Sequence, residues 1–369
     1  MRPTGKVVRW RGIGPLVLGL LLGIAALLPQ ATAGRAMPGD PAKTGYPASM
    51  AATGDSITRA FNTGTIPFTD APENSWSTGT TPAIASQYGR ILVAHPAIGG
   101  HAHNDAVTGA IMADLLGQVS TVNSQQVEYV TILLGANDAC TATEGAMTPV
   151  ATYQAQFQTA LAALSAGSPN ARIAVSSLPD IYNLWYILKD NASARTAWSL
   201  LQICQSMLLN PLSTAQADVD RRNRVRQRVV DYNTVLAQTC SQYIHCRFDG
   251  NAIYNAPFVP GDISTRDYFH PSPAGQTKLA QFSYAATFDF TDTTAPISKA
   301  AVTRPTSRGG SVALFARDDV GVAGIEYRIN GGAYTRYLAP VYLFDGDTIT
   351  YRAVDVNGNV EASHTLTMP

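Results

Sequence analysis

Three short apolar runs, "RILVA" (90–94), "VEYVTILLG" (127–135) and "ARIAVSSLP" (171–179), constrain the fold more than any other feature of the chain. Each is rich in β-branched residues and ends in a loop, the pattern of a strand buried on both faces of a parallel sheet. A further strand, first in the chain, is expected near Ser49 to Thr53. Between these runs lie helical patterns over 109–122, 150–166 and 225–243, the last carrying Val229, Val230, Tyr232, Val235 and Leu236 at roughly helical spacing. Strands alternating with helices predict a three-layer α/β/α domain with a parallel sheet. Ligands of such domains bind outside the carboxyl ends of the strands, so the chemistry is sought in the loops that follow them.

The 369 residues exceed what one core usually holds, which favours one enzyme-sized domain with a small appendage. With 46% hydrophobic and 14% charged residues and a net charge of +0, the composition suits a packed core and gives no electrostatic case for nucleic acid. Near Thr291 the pattern changes. Residues 291–296 read as a linker, and 297–369 alternate polar and apolar residues between Gly, Asn and Asp turns, predicting a small all-β sandwich. The phrases "DDVGVAGIEYRINGGAY" and "ITYRAVDVNGNVE" resemble the immunoglobulin-like modules appended to many secreted bacterial enzymes. No aromatic binding strip stands out in them; a cell wall or polymer is the partner such a module would contact.

The N-terminus places Arg2, Lys6, Arg9 and Arg11 before an apolar run from Ile13 to Leu28, followed by Ala31-Thr32-Ala33. This reads as a secretory signal peptide over 1–33, cleaved after Ala33, because the run is shorter than the ~20 residues of a spanning helix. Trp10 parts Arg9 from Arg11, so ordinary secretion is expected rather than the twin-arginine route. Residues 34–47, rich in small residues, Pro and Gly, read as a flexible lead-in. Export would put Cys140, Cys204, Cys240 and Cys246 where disulfides persist. Of the three possible pairings, the short spacing of Cys240 and Cys246 favours a local loop and leaves Cys140 to Cys204. Paired ligands at zinc spacing do not occur, and no metal is expected.

Three loops carry reactive groups. "AATGDSITRAFNTG" sets Gly54-Asp55-Ser56 just after the first strand, where alone it would be a plain turn. "STRDYFHPSPAGQTKLAQ" places Asp267 three residues before His270, with Ser272 as N-cap and Pro273 in the first turn of a helix. A His titrates near neutrality, an Asp on the same loop can fix its tautomer, and a Ser hydroxyl needs such a base to become a nucleophile. "VTILLGANDAC" ends a strand in Gly135-Ala136-Asn137-Asp138, whose Asn amide can donate to an oxygen that turns negative during acyl transfer.

In this order, G-D-S, G-x-N-D and D-x-x-H resemble the GDSL family of serine esterases and lipases, also called SGNH hydrolases, over about residues 48–290. The family's markers are Ser, Gly, Asn and His. Gly99-Gly100 and Gly109 compete for the Gly; the family's second block, Asn followed by an apolar stretch and Gly-Ala at a helix start, matches 104–110 and favours Gly109. The resemblance implies that Ser56 attacks the ester, His270 takes and returns the proton and Asp267 orients His270. The oxyanion would be held by the N–H groups of Ser56 and Gly109 and the side chain of Asn137, without a cofactor. "GANDAC" and "SSLPDIYNLW" look like the lipase and phospholipase B-like branch, so a lipid ester is the expected substrate. The alternative is a polysaccharide O-acetyl ester, with the C-terminal module as anchor. A vestigial binding protein is the reading from another class, and the complete Ser56, Asp267, His270 set speaks against it.

Other features carry blander expectations. His101, His103 and Asp105 fall in an irregular loop and are read as cleft lining, not metal ligands. Asp55 supports its turn, Arg59 meets a surface carboxylate, and His95, His245 and His364 are structural or solvated. Trp185, Tyr186, Trp198, Leu200 and Leu201 are expected in the core, within an apolar insertion that could also build an acyl pocket.

Overall fold

The structure, a computed structural model, describes residues 44–306 and 308–369. The expected signal peptide and most of the lead-in lie outside the described residues. In chain order the first part comprises β1 (Met50–Gly54), α1 (Gln87–Ala94), β2 (Ala102–Asn104), α2 (Leu115–Gln125), β3 (Tyr129–Leu133), α3 (Ala136–Ala139) and α4 (Val150–Gly167). There follow β4 (Arg172–Val175), α5 (Ile181–Leu188), α6 (Ala192–Leu200), α7 (Gln205–Leu208), α8 (Gln216–Cys240), β5 (Cys246–Phe248) and α9 (Pro273–Ala285).

The strands form one parallel sheet in the order β2-β1-β3-β4-β5. Side chains alternate across it. Ala51, Val130, Ile132, Ile173 and Val175 join the core under α2, α4 and α8, while Met50, Tyr129 and Ala174 pack with α1 and the aromatic pair Phe288 and Phe290. Burial on both faces is why these strands read as continuous apolar runs, and it yields the expected three layers. Disulfides join Cys140 to Cys204 and Cys240 to Cys246.

Three expectations need correction. "RILVA" is helix, not strand: it ends α1, where the Ser86 hydroxyl accepts the Gly89 N–H at 2.9 Å and Tyr88 and Ile91 turn inward at helical spacing. The edge strand is instead β2, in the stretch expected to be irregular loop, with His103 exposed on it. The long helix α8 begins nine residues before Val225, since its first turns are polar and carry no apolar periodicity.

Beyond the linker, β6 (Ile297–Thr306), β7 (Gly309–Arg317), β8 (Val322–Ile329), β9 (Thr335–Arg336), β10 (Val341–Phe344), β11 (Thr348–Asp355) and β12 (His364–Thr367) form two antiparallel sheets, β10-β7-β6 and β12-β11-β8-β9. They close on Val312, Leu314, Ile325, Leu343, Ile349, Tyr351 and Met368 as a β-sandwich. This sandwich docks where the parallel strands begin. Arg172, the first residue of β4, is buried and donates to Gly358 O and Asn359 Oδ1; Arg247 in β5 donates to Asp355 O at 2.9 Å and Val356 O at 2.6 Å. His245, just before β5, lies 3.2 Å from Glu326. Ile244 packs with Val354 and Val360 beside them.

Candidate active site

The strand order reverses between β1 and β3, and the loops leaving these two neighbours open a crevice at their carboxyl ends. β1 ends at Gly54 with φ +149°, and a Cβ there would lie 2.5 Å from both Leu133 O and Thr58 Oγ1, so only glycine lets the chain turn this close to β3. Gln118 of α2 fixes the turn by bonding both the N–H and the carbonyl of Gly54, at 2.8 and 2.9 Å. The Asp55 carboxylate accepts the Ile57 N–H at 2.9 Å, and Asp55 O and Ser56 O accept from Arg59 and Phe61. Asp55 thus supports the turn, and it is wholly buried. Burial pushes its carboxyl up to about 7, with the Ile57 N–H offsetting part of the effect.

This turn presents Ser56 Oγ 2.8 Å from His270 Nε2, while His270 Nδ1 lies 2.7 Å from Asp267 Oδ2. Ser272 caps α9 by accepting the Gly275 N–H at 3.3 Å, which sets the loop carrying His270 at the helix entry. The other Asp267 oxygen accepts the N–H groups of Phe269 and His270 at 2.9 and 3.1 Å. Asn62 donates to Asp267 Oδ2 at 2.5 Å. Burial works to raise the Asp267 carboxyl, but the bonds from His270 and the backbone outweigh it and hold it below its ordinary value. Phe61 lies against the imidazole with ring centroids 4.8 Å apart.

β3 leads through Gly135, at φ +135° and too close to Tyr153 for any side chain, into α3. There Asn137 donates an amide hydrogen to Ala110 O at 2.9 Å. Gly109 is exposed at φ +84°, in a turn rather than at a helix N-terminus. The helical turn starts at Met112, because Asp114 accepts the Ile111 N–H and Asp138 accepts the Met112 N–H. Asn137 thus lies beside Gly109 through Ala110, while Ile57 next to Ser56 and Ala136 next to Asn137 line one pocket with His270. Such a constellation can pass a proton from a hydroxyl to an imidazole and offer donors to a developing oxyanion.

The profile of the GDSL-like lipase/acylhydrolase family matches residues 52–278. The chain belongs to this family. It is a carboxylic ester hydrolase, and its substrates are esters. No curated protein matches it. Among solved structures it is similar to an extracellular lipase from Streptomyces rimosus, at 19% identity over 65% of this chain and 99% of that one, with a TM-score of 0.41. It is also similar to a variant of an acetyl xylan esterase from Geobacillus stearothermophilus, at 17% identity over 64% of this chain and 92% of that one, with a TM-score of 0.39. Likenesses this distant bear on neither substrate nor site.

In this GDSL hydrolase an apolar pocket opens beside the crevice, lined by Ile57, Ala136, Ile181, Leu184, Phe258 and His270 among others. The apolar insertion contributes Leu184 to it, with Ile181 of the same helix just before it, whereas Trp185 and Trp198 are core. Tyr186, Leu200 and Leu201, expected in the core, are exposed by 62%, 77% and 48%; they occupy the outer sides of α5 and α6 and the residue just after α6. Arg59 pairs with Asp70 at 3.0 Å. Two supports of the site, Asn62 and Gln118, had no local signature, since their partners lie 205 and 64 residues away. Among the described residues no cluster of His, Cys, Asp or Glu is arranged to hold a metal.

Proposed function

We propose that the protein is a secreted serine esterase acting on carboxylic esters of lipids. The supporting observation is the unbroken line of contacts from Asp267 through His270 to Ser56 Oγ, with no link longer than 2.8 Å. Ser56 Oγ attacks the ester carbonyl as its proton passes to His270 Nε2, forming a tetrahedral oxyanion. The N–H groups of Ser56 and Gly109 and the side-chain amide of Asn137 stabilise that charge. The imidazolium then protonates the departing alcohol, leaving an acyl group on Ser56. Water, deprotonated by His270, repeats the sequence and releases the acid. Asp267 stays ionised throughout and keeps the Nδ1–H tautomer in place.

The apolar pocket beginning at Ile57 and Ala136 takes the acyl chain, which favours chains longer than acetyl. The N-terminal signal and two disulfides support export. No helix among the described residues is long and apolar enough to cross a membrane.

The test is hydrolysis of p-nitrophenyl esters from acetate to palmitate by the chain from Gly34 onward, beside Ser56→Ala. Activity that peaks at medium or long chains and vanishes in the variant supports the reading. A peak at acetate favours a polysaccharide O-acetyl esterase, and activity untouched by Ser56→Ala removes the serine mechanism.

A further inference from the structure

Where the β-sandwich meets the end of α4, a groove of about 520 Å³ opens between the two parts of the chain. Two guanidinium groups lie against the ring of Tyr334, Arg352 with Cζ 4.1 Å and Arg328 with Cζ 4.7 Å from the centroid. The ring is held by a hydrogen bond between Tyr334 Oη and Ser363 Oγ at 2.8 Å. Arg352 is matched: its Nε meets Glu326 at 3.1 Å and its Nη2 donates to Asn170 Oδ1 at 3.0 Å. Arg328 is not. Among the described residues no carboxylate pairs with it, and its Nε is buried without an acceptor. Contact with a ring face leaves the planar donors of a guanidinium unspent, and those donors fit a carboxylate two at a time.

Around this positive charge the walls mix small apolar and polar residues, and the one carboxylate among them, Glu326, is held by Arg352. Ala162, Ala166 and Ala333 leave room for a ligand, and Ser165 and Tyr243 add hydroxyl groups. The volume lies in the ordinary range for small-molecule sites, roughly 300–1,000 Å³. No Leu, Ile, Val, Met or Phe lines it, which disfavours a fatty chain. The geometry points to a binding site for a carboxylate-bearing saccharide, a uronate unit whose carboxylate meets Arg328 and whose hydroxyl groups meet Ser165 and Tyr243. The groove borders Asn170, just before β4 begins, whereas Ser56 follows the opposite, carboxyl end of β1. A saccharide held here is therefore not substrate in the crevice. It would fix the protein on an acidic polymer and leave the ester site open.

Calorimetric titration of the chain from Gly34 onward tests this with trigalacturonate, its neutral methyl ester and inorganic phosphate, on the parent, Arg328→Gln and Arg328→Lys. The expected result is saturable, salt-sensitive binding of trigalacturonate that weakens about tenfold or more in Arg328→Gln. Arg328→Lys should fall between, and p-nitrophenyl ester hydrolysis should be unchanged in both variants, which also reports their folding. Absence of binding overturns the proposal, as does parent-like binding by Arg328→Gln. Equal binding of the methyl ester removes the role of charge, and equal binding of phosphate removes the saccharide.

Discussion

Replacing Asn62 with Ala takes one donor from the Asp267 carboxylate and leaves three, His270 Nδ1 and the N–H groups of Phe269 and His270. A hydrogen bond to a charged group contributes about 1.5–3 kcal/mol. With roughly 1.36 kcal/mol for each tenfold change in rate, the loss in kcat is bounded between about 10- and 150-fold. Three donors remain, so the lower end, about tenfold, is expected. The bond from Asn62 reaches the same oxygen that accepts from the imidazole, so its loss misdirects His270 without touching the acyl pocket, and kcat should fall while KM holds. Asn62 Oδ1 also accepts the Phe68 N–H at 2.6 Å, so thermal unfolding must accompany the kinetics to separate a loosened loop from a misdirected base. Asn62→Asp is the informative partner: it sets a second carboxylate against Asp267 and should cost more than Asn62→Ala at pH 8. Steady-state hydrolysis of p-nitrophenyl butyrate reads both variants. A folded Asn62→Ala protein with kcat within about twofold of the parent would refute the argument, since it would mean the backbone donors alone hold Asp267.

Asn137→Ala should keep the fold and lose about 100- to 1,000-fold in kcat, measured on the same ester, if it removes the proposed oxyanion donor. Asp55→Asn should flatten the dependence of stability on pH. With its carboxyl raised from 3.8 to about 7, the native state holds a proton that the unfolded state has released, so stability falls as pH rises from about 4 to 7 and then levels. The full difference is on the order of 4 kcal/mol, of which about 2.6 kcal/mol falls between pH 5 and 8, where denaturant midpoints read it. A chain ended at Phe290 should unfold roughly 10 °C below the parent in a calorimetric scan, because Arg172 and Arg247 lose their carbonyl acceptors in the sandwich.

What could be read from the sequence follows the range over which each residue acts. Ser56, Asn137, Asp267 and His270 sit in short loops at the ends of strands or the start of a helix, where local motifs set their backbone; the structure links Ser56, His270 and Asp267 in one line and sets Asn137 against Ala110. "RILVA" misled because an apolar run of five residues suits a buried strand and one turn of a buried helix equally; the Ser86 cap was the signal that could have decided it. β2 escaped notice because an edge strand with His103 turned to solvent has no apolar pattern. Gly-Ala can open a helix, which sets Gly109 at a helix start in the sequence, yet the entry is governed by Asp114 and by Asp138 of α3. Asn62 and Gln118 act across the fold, and nothing in their own neighbourhoods marks them.

The parallel sheet has two unlike ends, and the chain uses both. At the carboxyl ends, backbone turns forced by Gly54 and Gly135 bring a hydroxyl, an imidazole and an amide to the edge of solvent, and a carboxylate buried behind them holds the imidazole. At the amino ends, Arg172 and Arg247 carry charge into the interior and donate to acceptors on the sandwich as well as to Gly45 O, Ile244 O and Cys246 O. Burial draws the Arg172 guanidinium down to about 10, with Asp355 opposing the shift. The sandwich is therefore bound into the hydrolase at the end farthest from the ester site. It cannot close over the crevice as a lid, so its effect on catalysis must run through stability or through where the protein is held.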